Sequence, residues 1–130
     1  MNADINGAHG RLRLQPRVYD ADLQSVMSAD DLILMVDLGV EDLYKRVRVR
    51  LAGVDAPNAL HESDQSEAGR ARQRVRQMIG RCRLRVSVES VRSSSWICTV
   101  EIVSATGQFI NLNRLLIDEG YVFKKTGVRE

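Results

Sequence analysis

The chain has 130 residues, 44% hydrophobic and 28% charged, a composition typical of one globular domain and unlike that of disordered or collagen-like chains. Its 19 basic and 17 acidic residues give a formal net charge of +2, too close to balance to identify a polyanionic partner. No apolar run is long enough to span a membrane, and the first residues lack a signal-peptide pattern. We therefore expect a cytoplasmic protein without a membrane partner.

The amino-terminal residues differ from the rest of the chain. Residues 1–12 show no sustained periodicity, which predicts a flexible arm. We expect a single folded domain over residues 13–130. Its first segment, residues 13–26, has an extended pattern that Pro16 interrupts.

A β-hairpin follows this segment. Residues 32–38 are a strongly apolar run, residues 39–42 are typical of a turn, and residues 46–51 alternate between arginine and aliphatic side chains. Side chains in a strand point alternately to its two faces. The alternation therefore predicts three arginines outside the core: Arg46, Arg48 and Arg50.

A helix is predicted after a polar stretch. Asp64 and Glu67 have the spacing of a capping box, which predicts the helix start, and Gly80 predicts its end. Five apolar residues recur at helical spacing between them and form one stripe. They are Ala68, Ala71, Val75, Met78 and Ile79.

Two further strands and a short helix complete the chain. Residues 82–88 and 96–103 alternate as strands do. Asn111 or Asn113 can cap a short helix, which Gly120 ends. The two cysteines, Cys82 and Cys98, occupy inward positions of these strands and lack metal-ligand spacing, so we expect buried free thiols.

This order of elements predicts a mainly β protein of the α+β class. A hairpin excludes a fully parallel sheet, and parallel βαβ architecture needs a helix between every pair of strands. A five-stranded barrel of the OB type fits better. It has one helix between its third and fourth strands and a short helix after its fifth.

Positive charge is concentrated in residues 70–85, which contain seven arginines and no acidic residue. Such a run is usually a solvated face, but it can also contact the phosphates of a nucleic acid. The candidate contacts, with one arginine from the hairpin, are Arg48, Arg70, Arg74, Arg81, Arg83 and Arg85.

Four segments occur in an informative order: VMSADDLILMVDLG (26–39), RVRVRLAGVDAPN (46–58), SSSWICTVEI (93–102) and NRLLIDEGYV (113–122). In this order and spacing they resemble the thermonuclease family, the staphylococcal-nuclease-like OB domains, and in particular its short bacterial or phage-type members. The resemblance implies an OB-fold barrel, calcium as cofactor, and hydrolysis of phosphodiester bonds in DNA or RNA.

The resemblance assigns roles to four residues. Asp30 and Asp55 take the positions of the aspartates that bind calcium, and the Ala56 carbonyl supplies a main-chain oxygen. Arg50 takes the position of the first phosphate-binding arginine. Alternative interpretations remain: Asp30 as a turn residue, Asp55 in an Asx-type turn, and Arg50 in an ion pair with either aspartate.

The chain departs from the family at two catalytic positions. Asn58 stands where the family has its general-base glutamate, and Ser95 where it has its second arginine. A general base contributes about 10²–10⁴-fold to a rate and a charge stabiliser about 10²–10³-fold, so we expect an impaired nuclease. Glu62 or Asp64 could replace the base, and Arg92 or Arg48 the cation.

Three functions are consistent with this sequence. We favour a non-catalytic OB module that binds nucleic acid, or a protein partner, through the cleft and the basic face. The second is an active calcium-dependent nuclease. The third is a structural or docking component that pairs with another protein or with its own copies, located in the virion if the chain is phage-encoded.

Overall fold

The computed structural model describes residues 17–59, 63 and 65–125. These residues form eight strands and two helices. The strands are β1 (Arg17–Ser28), β2 (Asp31–Asp37), β3 (Tyr44–Leu51), β4 (Val54–Asp55), β5 (Arg83–Arg92), β6 (Ser95–Val103), β7 (Phe109–Asn111) and β8 (Phe123–Lys124). The helices are α1 (Glu67–Ile79) and α2 (Leu112–Asp118).

Five strands close into a barrel. The sheet order is β3-β2-β1-β5-β6, and β3 also pairs with β6, so that the first and last of these strands meet. The closing pair is parallel, with Arg48 opposite Ser95 and Leu51 opposite Cys98, whereas the other barrel pairs are antiparallel. The predicted α+β fold with a five-stranded OB-like barrel is confirmed.

Aliphatic side chains fill the barrel, as the strand alternation predicts. Burial alternates along β3, in the first half of β5 and in the second half of β6, whereas the first four residues of β2 are all buried. The aliphatic residues of these strands form one core with the apolar face of α1. The arginines of β3 are exposed, as expected. Cys98 is buried, as expected, whereas Cys82, which directly precedes β5, is only partly buried.

The start of α1 differs from the prediction. Ser66 is the N-cap, and its side chain accepts a hydrogen bond from the Gly69 N–H. A serine hydroxyl at this position satisfies one of the amide donors that a helix start leaves unpaired. The predicted cap at Asp64 is therefore wrong, whereas Gly80 is the C-cap as expected.

Two asparagines at the start of α2 have different roles. Asn111 is the N-cap, and its side chain accepts from the Arg114 N–H at 3.0 Å. Asn113 is buried and links two segments: its Oδ1 accepts from the Val100 N–H, and its Nδ2 donates to the carbonyls of Ala52 and Cys98. Asn113 thus connects β6 to the chain that leaves β3.

Some predictions lie outside the described residues. The expected arm at residues 1–12 does, and so do Glu62 and Asp64, the two proposed replacement bases. Neither helix in the described part of the chain has the length and apolar character needed to cross a membrane.

Candidate functional site: an acidic cleft with two arginines

Several residues assigned by the resemblance lie in one cleft. It has a volume of about 180 Å³ and lies where the β1–β2 turn meets the end of β3 and the chain after β4. The elements that form it come from separate parts of the sequence. Its lining residues are Met27, Ser28, Asp30, Asp31, Arg48, Arg50, Asp55, Ala56 and Asn58.

Asp30 is the buried carboxylate of the β1–β2 turn, with 5% of its surface exposed. Its Oδ2 accepts from the Ala56 N–H at 3.3 Å and lies 3.7 Å from Arg50 Nη2. Its carbonyl accepts from the Leu51 N–H. Burial raises the pKa of Asp30, and the Arg50 charge and the Ala56 N–H oppose that shift. The interpretation of Arg50 as an ion-pair partner thus has a geometric basis.

Asp31 is paired with Arg48, a contact that no sequence pattern indicated. Arg48 donates Nε to Oδ1 at 3.0 Å and Nη2 to Oδ2 at 2.6 Å. Asp31 is 7% exposed, and its hydrogen bond raises the pKa of Arg48. The register of the hairpin is what would have indicated this pair. Asp31 stands opposite Arg50, so its side chain lies on the same face of the sheet as the arginines of β3 and can reach them.

Asp55 is the most exposed acid of the cleft. Its Oδ1 lies 3.8 Å from Lys125 Nζ, and β4 pairs with β8, which brings the end of the described chain to this side of the molecule. Each of the described carboxylates in the cleft therefore has a cationic neighbour. The three pairs are Asp30 with Arg50, Asp31 with Arg48, and Asp55 with Lys125.

The two substituted positions have different locations. Asn58 lines the cleft. The chain beside it is held by Ser28, whose Oγ accepts from the Ala59 N–H at 2.9 Å. Ser95 is not among the described residues that line the cleft. It pairs with Arg48 in the parallel ladder, which places the two side chains on the same face of the sheet.

The structure pairs most of the other predicted phosphate contacts with acidic residues. Arg74 binds Glu119 at 3.0 Å, and this hydrogen bond lowers the pKa of Glu119. Arg83 lies between Asp20 and Asp22. Arg85 binds Glu101 at 2.7 Å and stacks over the Phe109 ring. Arg70 donates to a main-chain carbonyl, and Arg81 is exposed.

The donors of the cleft do not form a complete metal site by themselves. Within residues 17–59, 63 and 65–125, no group of three acidic, histidine or cysteine side chains is placed to hold a metal ion. Calcium takes six to eight oxygen ligands. Calcium binding by Asp30, Asp55 and the Ala56 carbonyl therefore stays a prediction.

Comparisons with known proteins do not assign this chain to a family. No protein-family model matches it, and a search of curated proteins finds no relative.

Proposed function

We propose that this protein is a non-catalytic, staphylococcal-nuclease-like OB module that binds nucleic acid through the cleft. One observation carries the proposal. Asp30, Arg50 and Asp55, which the resemblance assigns to a phosphodiesterase site, line one cleft together with Asn58. The closed barrel is compatible with the OB architecture that the resemblance implies.

The residues of the cleft argue against hydrolysis. Asn58 is an amide, and an amide cannot take a proton from water as a general base does. The carboxylates of Asp30 and Asp31 already have arginine partners. With Ser95 in place of a second arginine, loss of both groups lowers the rate by about 10⁴-fold or more, even with non-additivity.

The same cleft retains donors that suit a phosphate. The side chains of Arg48 and Arg50 are 48% and 44% exposed. A guanidinium carries five N–H donors, and Arg48 uses two of them for Asp31. The remaining donors of both arginines support binding of a phosphodiester oxygen without cleavage.

Binding of a labelled single-stranded oligonucleotide at several salt concentrations tests this function. Arg50→Gln should weaken binding about 3- to 10-fold and reduce the slope of log K against log salt by about 0.7, the value for one phosphate contact in a single strand. Arg114→Gln, an equal change of charge on α2, is the matched control and should bind as the wild type does. Equal affinities for all three proteins would overturn the proposal.

A calcium-dependent nuclease is the second candidate. It is favoured by Arg48, which lies in the cleft and beside Ser95, where the family has its second arginine. Plasmid DNA and RNA are incubated with calcium and the wild type, Asp30→Ala or Asp55→Ala. We expect no cleavage in any sample. Cleavage by the wild type alone, with heat of calcium binding in calorimetry, would instead establish the nuclease.

A further inference from the structure

A second concave region lies near the start of β3, away from the acidic residues of the cleft. It consists of two recesses of about 70 and 410 Å³ that share Val91 and Trp96. The smaller recess also contains Arg17 and Tyr19. We call the larger one the Trp96 recess, and it is lined in particular by Lys45, Arg46, Val91, Ser93, Ser94 and Trp96.

No described carboxylate is paired with the positive charge of this region. Lys45 and Arg46 are exposed, and none of the described residues that line either recess is acidic. Arg46 donates to the Gln24 amide at 2.9 Å rather than to a carboxylate. Within the described residues, neither these two cations nor Arg17 makes a salt bridge, in contrast to Arg48 in the cleft. An anionic ligand would therefore not have to displace an internal carboxylate.

An aromatic side chain lies beside these cations. Trp96 lines both recesses, and the Tyr19 ring packs near it with centroids 5.6 Å apart. Val91, at the same place, is 51% exposed. Aromatic side chains next to cationic groups are the combination with which OB-folds hold single strands, because a base stacks on the ring while its phosphate contacts the cation.

The two sites are connected by one strand. Every second residue of β3 from Arg46 to Arg50 is an arginine, and all three lie on the outward face of the strand. Alternate residues of a strand are separated by about 7 Å. This row of guanidiniums leads from the Trp96 recess to the cleft, so that one extended chain of phosphates can reach both.

We propose that the Trp96 recess binds a base of single-stranded nucleic acid, stacked on Trp96, with Lys45 and Arg46 on the neighbouring phosphates. The inference rests on the proposed function and adds the ligand class. A base in a duplex is already stacked and paired, so it cannot lie against a side chain in this way. Preference for single strands over duplexes follows.

Trp96 is the only tryptophan of the chain, so its fluorescence reports on this recess directly. The intact protein is titrated with an oligothymidine and with a duplex of equal length. We expect saturable quenching by the single strand, with at least tenfold weaker binding of the duplex. Lys45→Gln and Arg46→Gln should each weaken the quenching titration about 3- to 10-fold, whereas Arg114→Gln leaves it unchanged.

A second readout covers the stacking contact. Trp96→Leu should weaken binding of a labelled oligonucleotide about 5- to 150-fold, the range expected for one base stacked on an aromatic ring. Since Trp96 also packs on the core, circular dichroism checks that the Trp96→Leu protein is folded. If it is unfolded, the variants of the exposed Lys45 and Arg46 decide whether the recess binds the oligonucleotide.

The outcomes separate this inference from the proposed function. One outcome would overturn the Trp96 recess alone. In it, oligonucleotide binding depends on Arg50, but Trp96 fluorescence does not change on binding and the Lys45 and Arg46 variants bind with wild-type affinity. Quenching that survives Arg50→Gln at full affinity supports the recess and contradicts the role of the cleft. Absence of quenching with any nucleic acid, or equal binding of the duplex, also overturns the inference.

Discussion

Arg48 and Asp31 are joined by two parallel hydrogen bonds, of 3.0 and 2.6 Å, between adjacent strands of the barrel. Asp31 has almost no contact with solvent, whereas the Arg48 side chain is 48% exposed. The arginine therefore stabilises a buried negative charge from the side that faces water. This asymmetry determines what happens when either partner is removed.

Arg48→Gln should lower the free energy of unfolding by about 1–2 kcal/mol, because it leaves the buried carboxylate of Asp31 without its counter-charge. The value is reduced from that of a fully buried pair because water can reach this site. Arg83→Gln is the control, since its aspartate partners are exposed, and it should cost less than about 0.5 kcal/mol. Urea unfolding measures both, and equal losses would contradict the assigned role of Arg48.

The two asparagines at the start of α2 offer a second comparison. Asn113→Ala should cost about 2–4 kcal/mol, because it removes three hydrogen bonds and leaves the buried Val100 N–H unpaired. Asn111→Ala removes only a cap and should cost about 1 kcal/mol. Thermal unfolding distinguishes the two. A smaller loss at position 113 than at 111 would contradict the bridging role of Asn113.

The buried carboxylate of Asp30 predicts a pH effect on stability. Burial raises its pKa, so the folded protein binds this proton more tightly than the unfolded chain does. The contribution of Asp30 to stability therefore increases as the pH falls through the raised pKa, and it is unfavourable at neutral pH. Asp30→Asn should be as stable as the wild type or more stable at pH 7, with a difference that shrinks towards pH 4.

Urea unfolding of the wild type and Asp30→Asn at several pH values measures that difference. Comparing the two proteins at each pH cancels the contributions of other titrating groups. Asp55→Asn, in the same cleft but with an exposed side chain, is the matched control. A stability advantage of the wild type that grows with pH would show that Arg50 and the Ala56 N–H outweigh the effect of burial.

The two cysteines should differ in reactivity. Burial raises the pKa of the Cys98 thiol to about 12, and the thiolate is the reactive form. Native protein treated with iodoacetamide at pH 8 should therefore be alkylated at the partly exposed Cys82 and not at Cys98. Peptide mass spectrometry identifies the modified site, and denatured protein, in which both react, is the control. Rapid alkylation of Cys98 in native protein would contradict its burial.

β3 and β5 could be predicted because alternation of aliphatic and polar residues specifies which face is buried, and β2 could be predicted from its apolar run. Residues 46–51 illustrate this, since the arginines and the aliphatic residues lie on opposite faces as expected. The short β4, β7 and β8 could not be predicted. Strands of two or three residues carry too little periodicity and form only where the folded chain brings a partner alongside.

The residues of the candidate site were predictable in part. The resemblance named Asp30, Arg50 and Asp55, which do meet in one cleft. The pairing of Asp31 with Arg48 depends on strand register and on rotamers that a linear sequence does not specify. The N-cap of α1 could not be predicted for a similar reason. Several polar residues before α1 are of the types that cap helices, and the local backbone geometry determines that Ser66 is the one that does.

The parallel contact of β3 with β6 has a consequence for how the protein acquires its structure. It joins strands from opposite halves of the chain, so the circle closes only after most of the polypeptide has been synthesised or collapsed. Bringing such distant segments together costs loop-closure entropy before the contacts between them form, and this slows folding. We therefore expect that neither half, expressed alone, retains a stable sheet, and that mixing the two complementary fragments is the condition under which both would assemble.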